Sequence, residues 1–499
     1  MAFFRRLLHD PRLALFVLVF GSYAYFYQGG GWNQNSRFDL TRALVEQGTA
    51  SIDAYEFNTG DKSRLNGRFY CDKAPGVSFL AVPVYAAFHP FAEGHRPKAR
   101  LVTRAAYLAT LLVVSLPSAL AAVALASLGA AFGWPRRGAA ALALAWALGT
   151  LAFPYATLLY GHQLAASLLL GAFAILARVR QAGLPTVPPP PGSLALAGLL
   201  LGSTVAVEYP PAMAVAVLLG YAALTVRPWS RLPWLVAGMV PPLAALAAYH
   251  WTVFGGPLTL PYHHVLEAPR HQGLFLGVST PRLDILHRIL IGEQRGLFVF
   301  APWLLLALPG LLRLFRHRRF RLEGAVCLLV FGLFVAFNTT LSTSDTDWRA
   351  GWGMGPRHLI PSLPFLAIGA GGLLLPIGKA TGFAGRGLRR TLGAIAALSL
   401  TFSVAMMLIA TSVRPEAPTA YRRPFQDFLI PAFLRGELAQ NTIPIHTGII
   451  KERREAWNWG EAFGLSGLPA LIPLGVWAAV NGAWLLACLR RQERETGRS

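Results

Sequence analysis

Charge is scarce in this sequence. Only 14% of its 499 residues are Asp, Glu, Lys or Arg, whereas a soluble domain carries roughly a quarter. The shortage is mostly of one sign, since 23 acidic residues stand against 45 Lys and Arg. Three cysteines, Cys71, Cys327 and Cys488, lie in unrelated settings, which excludes a disulfide scaffold and a cysteine metal site. The 12 histidines follow no recognised zinc-ligand spacing, so no cofactor is certain and a divalent metal stays possible. No segment visibly repeats another. No small-residue cleavage site follows the first apolar run, so the chain is expected to keep that run as an anchor.

Apolar residues make up 54% of the chain and gather in runs. Many are long enough to cross a hydrocarbon layer of ~30 Å as helices. They lack the alternation of barrel strands, so the expected fold is an all-α polytopic membrane protein. Thirteen candidates fall near 13–27, 77–91, 105–132, 139–159, 163–177, 193–207, 211–225, 234–254, 297–312, 322–341, 357–377, 391–411 and 467–488. The basic excess lies in short loops between them, as the positive-inside rule and anionic headgroups require; nucleic acid is not an expected partner.

Arg5, Arg6 and Arg12 place the N-terminus in the cytoplasm, and the Arg-rich tail asks for the same side. Both ends inside require an even number of crossings. Twelve result if 77–91, flanked by Pro75 and holding Pro83, dips into or lies along the outer leaflet. The basic loops at Trp134–Arg137, Arg178–Gly192, Arg227–Arg231, Arg313–Arg321 and Lys379–Arg390 then all face the cytoplasm. The long connections 28–104, 255–296, 342–356 and 412–466 share the exterior. The expected division is a transmembrane unit over 1–411, an exterior lid over 412–466, and a last crossing with a cytoplasmic tail over 467–499.

The first exterior loop is long and polar. It opens with Asn35-Ser36-Arg37-Phe38-Asp39, within a loosely amphipathic helix suited to the interface. It ends with Tyr70-Cys71-Asp72-Lys73-Ala74-Pro75-Gly76. Ser36-x-x-Asp39 fits a helix capping box as well as it fits a catalytic carboxylate. Asp53 and Asp72 are reserves, since an isolated loop Asp is more often a turn former. Lys73 sits at the expected membrane boundary, where it either meets a lipid phosphate or snorkels. Glu208, in Val207-Glu208-Tyr209-Pro210-Pro211, borders hydrocarbon, where a retained charge tends to be functional or paired. It reads as a second site carboxylate or a ligand for a divalent metal, against a solvated turn. Arg357 either binds phosphate or marks a helix start. Tyr70 and Trp352 stack on sugar or belong to an aromatic belt. Arg288 and Arg295 are expected at headgroups.

This order of features resembles the GT-C glycosyltransferases. The similarity is strongest to the branch of bacterial protein O-mannosyltransferases and lipid A aminoarabinose transferases. A first span, a loop with a juxtamembrane helix, the Asp72-Lys73-Ala74-Pro75-Gly76 junction and the late Gly351-Trp352-Gly353-Met354-Gly355-Pro356-Arg357-His358 junction carry it. The resemblance is best over about 13–180 and 342–365. It implies transfer of a sugar from a polyprenyl-phosphate donor to a glycan, lipid or protein acceptor, on the periplasmic face of a bacterial cytoplasmic membrane. Asp39, Asp53 or Asp72 would be the base, and Lys73 and Arg357, with Arg37, would hold the phosphate. The sequence departs from the family where Asn35 and His162 replace two expected aspartates. Those two residues, with Glu208, are expected to line the pocket. The alternatives are a twelve-span transporter or lipid flippase, and a non-catalytic lipid-binding relative.

Overall fold

The structure is a computed structural model of the whole chain. It describes residues 8–93, 98–182, 188–265, 278–341, 347–349, 351–375, 383–449 and 451–496. Arg5, Arg6 and Lys379 of the expected topology lie outside these.

Each of the thirteen apolar runs is helical. The first is α1 (Pro11–Ala24), capped by the Asp10 carboxylate and followed by a short strand β1 (Phe26–Tyr27). Then come α2 (Trp32–Arg42), the hairpin β2 (Lys62–Leu65) and β3 (Arg68–Cys71), and α3 (Gly76–Glu93). Next is α4 (Lys98–Thr110), which continues through a π turn into α5 (Leu116–Phe132). The bundle adds α6 (Arg136–Leu148), α7 (Gly161–Ala182), α8 (Pro191–Val207), α9 (Ala212–Thr225) and α10 (Leu232–Phe254). It closes with α11 (Ala307–Arg316), α12 (Arg321–Thr339), α13 (Leu363–Gly371), α14 (Phe383–Val413) and α15 (Ile472–Thr496). A fourth strand, β4 (Trp457–Asn458), pairs antiparallel with β1. Among the described residues, six helical stretches are long and apolar enough to cross a membrane, and five shorter apolar helices accompany them. The protein is a polytopic all-α membrane protein.

Hydrogen bonds sort the helix ends into two layers. Arg180 of α7 donates to the Arg319 carbonyl and pairs with Glu323 of α12, and Tyr221 of α9 donates to the same Glu323 at 2.8 Å. Arg313 reaches the carbonyls of Leu373 and Leu375 just beyond α13, and Arg137 pairs with Glu493 near the end of α15. Three of the basic connections, those holding Arg137, Arg180 and Arg313–Arg321, therefore gather at one end of the bundle. At the other end lie the last turn of α1, the first of α7, the last of α8 and the residues after α14. α3 packs on α2 and α4, beside that second end.

Helix packing is closest between α8 and α10. Gly198-Leu-Leu-Leu-Gly202 puts two glycines on one face of α8, the small-residue spacing that lets helices approach in lipid. A Cβ on Gly198 would collide with the Leu235 carbonyl, and one on Gly238 with the Ala195 carbonyl. Backbone cannot step aside as a side chain can. Gly198→Val is therefore expected to destabilise the protein by about 1–3 kcal/mol, the usual cost of overpacking. A lower unfolding midpoint in detergent would show it, and an unchanged midpoint would contradict the close approach.

Candidate active site

The site is built on α2, which departs from expectation. Its polar residues do not face an interface: from Asn33 to Arg42 every side chain is buried. The hairpin and α3 cover one side. Residues 441–445 cover another, with Asn441 donating to the carbonyls of Gln28 and Gly30 at 2.6 and 2.7 Å. Residues 441–445 are thus tied to the stretch that leads into α2 by side-chain-to-backbone hydrogen bonds. The helix starts at Trp32 after Gly31, so Ser36 lies inside it and cannot cap it. Ser36 donates to the Cys71 Sγ instead.

Two faces of α2 do different things. Asn35 and Asp39, one turn apart, point toward Asn58. Asn35 accepts from the Gly31 N–H and donates to the carbonyls of Asn58 and Pro444, so it braces the loop. Asp39 accepts from Asn58 at 2.9 Å, and its other oxygen is sealed without a partner. Burial holds its carboxyl well above the usual range. Arg37 lies about 200° away, at 100° per residue for two residues, on the opposite face.

Arg37 is fully buried and its guanidinium is committed. It donates to Asn33, to the carbonyls of Ala74 and Val207, and to Glu208 at 2.9 Å. It is not available to a phosphate, which corrects the expectation. Glu208 in turn lies 3.6 Å from the His162 Nδ1, and the His162 and His358 rings meet edge to face at 4.9 Å. Gly161 makes this approach feasible, because a Cβ there would collide with the Glu208 carboxylate.

Lys73 sits between two carboxylates, 2.9 Å from Asp72 and 3.1 Å from Asp61. Burial raises the Asp72 carboxyl to about 6 even though Lys73 opposes the rise. Its second oxygen is buried without a partner. Asp61 keeps its side chain 24% exposed. The cations Arg37, Lys73 and Arg357 all act electrostatically on His162, so three separate segments converge.

Across the site stands a second group. Arg295, Arg349, Arg357 and Arg414 make no ion pair among the described residues. Arg357 lies 5.7 Å from the Tyr160 ring centre, donates to the Trp352 carbonyl at 3.3 Å, and has its Nε buried without a partner. Arg414 covers the Trp352 ring at 5.0 Å and Arg349 donates to the Thr419 carbonyl. Arg295 is buried against the carbonyls of Gly351 and Gly355 rather than facing headgroups, and burial pushes its pKa down to about 10. Gly351, Gly353 and Gly355 have φ of +78°, +151° and +57°, a path that side chains with a Cβ rarely follow. That path turns the carbonyls to Arg295 and seats Arg357. Glu416 is a carboxylate beside the group, and Asp61 acts on Arg357 from the other side. Glu416 accepts from Tyr160 and, at 3.2 Å, from Gln34, and burial raises its carboxyl.

Asp53 and Tyr70 stand apart from these contacts. Exposed Asp53 accepts the Phe69 N–H at 2.6 Å and so ties its loop to β3. Tyr70 packs edge to face on Phe254 at 5.9 Å. Trp352 is 40% exposed at the rim, under Arg414. Asp61, Glu416 and Arg414 were not singled out from the sequence. The signal for Glu416 was there: Arg414-Pro415-Glu416-Ala417-Pro418 repeats the Pro-flanked acid beyond an apolar run that marked Glu208.

The arrangement is an enclosed, mixed-charge site at one end of an apolar helical bundle. No protein-family profile matches the sequence, and no curated protein matches it. Among solved structures the chain is similar to two crystal structures of ArnT from Cupriavidus metallidurans. The one bound to undecaprenyl phosphate has 18% identity and a TM-score of 0.47, and the apo one 16% and 0.48. Both cover 95% of this chain and 74% of that chain.

Proposed function

We propose that the protein is a membrane glycosyltransferase that moves a sugar from a polyprenyl-phosphate donor to an acceptor hydroxyl, on the periplasmic side of a bacterial cytoplasmic membrane. The observation that carries this reading is the group of four guanidiniums without ion pairs among the described residues, set beside a carboxylate–lysine cluster. Arg295 is buried and the other three are half-buried, and cations drawn out of water are costly unless an anion completes them. A phosphate is the anion a guanidinium fork suits best. Charge grows on the leaving phosphate in the transition state, so fixed donors there lower the barrier.

In this reading the acceptor oxygen attacks the anomeric carbon and the bond from that carbon to the phosphate oxygen breaks. The electron pair leaves with the lipid phosphate, held by Arg357 with Arg295, Arg349 and Arg414 around it. The acceptor proton passes to the Asp61 carboxylate. Lys73 keeps Asp61 and Asp72 in place and adds positive charge toward the phosphate. Glu208, with Arg37, holds the floor of the site and the two histidines.

The test is incubation of purified protein with a panel of polyprenyl-phosphate sugars, measuring release of the lipid phosphate. At least one donor is expected to turn over. Arg357→Ala is expected to lower that turnover by about 10²–10³-fold, the range seen when a transition-state donor is removed. No release from any donor, with lipid transport by the same preparation, would replace the transferase with a flippase.

A further inference from the structure

At the end of the bundle opposite the proposed site, a cavity of about 630 Å³ opens between α1, α5 and α7. Arg178 lies 17 residues after Gly161 along α7, so roughly 26 Å of helix separate the two regions. Three guanidiniums line the cavity: Arg12, Arg178 and Arg319. Arg12 and Arg178 act on each other with like charge. None of the three makes an ion pair among the described residues. Nearby acids are committed elsewhere. Glu323 is taken by Arg180, Gln181 and Tyr221, and the Asp10 carboxylate accepts the Arg12 backbone N–H. Arg319 donates only to Gln181, through the amide oxygen and the backbone carbonyl.

The wall opposite these cations is apolar and runs along the bilayer. Leu120, Val123, Ala124, Ser127 and Ala131 recur at helical spacing on one face of α5. Leu120 is 53% exposed, so the groove is open at its outer edge. Its residues shrink toward the charged end, from leucine and valine to alanine and serine, which leaves room there for a headgroup.

We infer that this cavity is a binding site for an anionic diacyl phospholipid. The headgroup phosphate would sit among Arg12, Arg178 and Arg319, and an acyl chain along the α5 face. Charge complementarity selects the class: a zwitterionic headgroup brings its own cation into a space that already holds three. Basic pockets between helices at one membrane face suit acidic lipid headgroups for this reason. The inference rests on the membrane fold alone and stands whether or not the protein transfers sugar.

Binding of phosphatidylglycerol and of phosphatidylcholine to the purified full chain, read by native mass spectrometry, tests it. Phosphatidylglycerol is expected to bind more tightly, and Arg12→Ala/Arg178→Ala to weaken it by about tenfold or more. Ser127→Trp fills the groove while leaving all three charges, and is expected to abolish the preference as well. Equal binding of the two lipids, or undiminished phosphatidylglycerol binding in both variants, overturns the proposal. Displacement of phosphatidylglycerol by equimolar polyprenyl phosphate would also overturn it, by assigning the cavity to single-chain lipid phosphates.

Discussion

Asp61→Asn is expected to lower sugar transfer by about 10²–10⁴-fold, the range a positioned general base contributes. Binding of polyprenyl phosphate should persist. The assignment follows from which carboxylates have an oxygen free to take a proton. Asp39 faces away on the other side of α2 and holds Asn58. The uncommitted oxygen of Asp72 is sealed from solvent. Glu416 has one oxygen on Tyr160 and the other on Gln34. Glu208 carries the charge of Arg37 and is nearly buried. Asp61 alone among these five combines partial exposure with a place beside both Lys73 and, electrostatically, Arg357. The comparison variant is Glu416→Gln, which removes a carboxylate without a free oxygen. If Glu416→Gln stops transfer while Asp61→Asn turns over within about tenfold of wild type, the base is misassigned.

The membrane architecture was legible in the sequence because hydropathy and loop charge act segment by segment. Every apolar run became a helix, and the loops that hold Arg137, Arg180, Arg313 and Arg319 meet at one end of the bundle. Lys73, Arg357 and Glu208 were singled out as charged residues beside apolar runs, and His162 through the family resemblance alone. The small sheets were not read, although Asn66-Gly67 is the strongest short hairpin signal. Both residues have positive φ in the β2–β3 turn. What the sequence could not supply was which side of α2 each residue faces. Arg37 and Asp39 are two positions apart and look equally available in one dimension, but one binds Glu208 and the other Asn58. Asp61 and Glu416 escaped notice because their value comes from partners about 12 and about 260 residues away, a tertiary fact.

Glu208→Leu is expected to destabilise the protein by about 3–5 kcal/mol, the usual cost of stranding one member of a buried ion pair. Arg37 is fully buried, with side-chain exposures of 0% and 7% for the pair. Its remaining bonds go to carbonyls and an amide, which satisfy donors but do not neutralise charge. The alternative, deprotonating a guanidinium, is not open at ordinary pH. Arg37→Met/Glu208→Leu should therefore recover most of the loss, since an apolar pair of similar volume is often neutral in place of a buried salt bridge. Thermal unfolding in detergent, followed by tryptophan fluorescence, measures both. Equal instability of single and double variants would mean that the pair's other hydrogen bonds, rather than its charge balance, hold α2 against α8. A stable double variant that still binds polyprenyl phosphate but no longer transfers sugar would separate scaffold from chemistry. Its residual defect would then be traced to His162, which loses the carboxylate 3.6 Å from its ring.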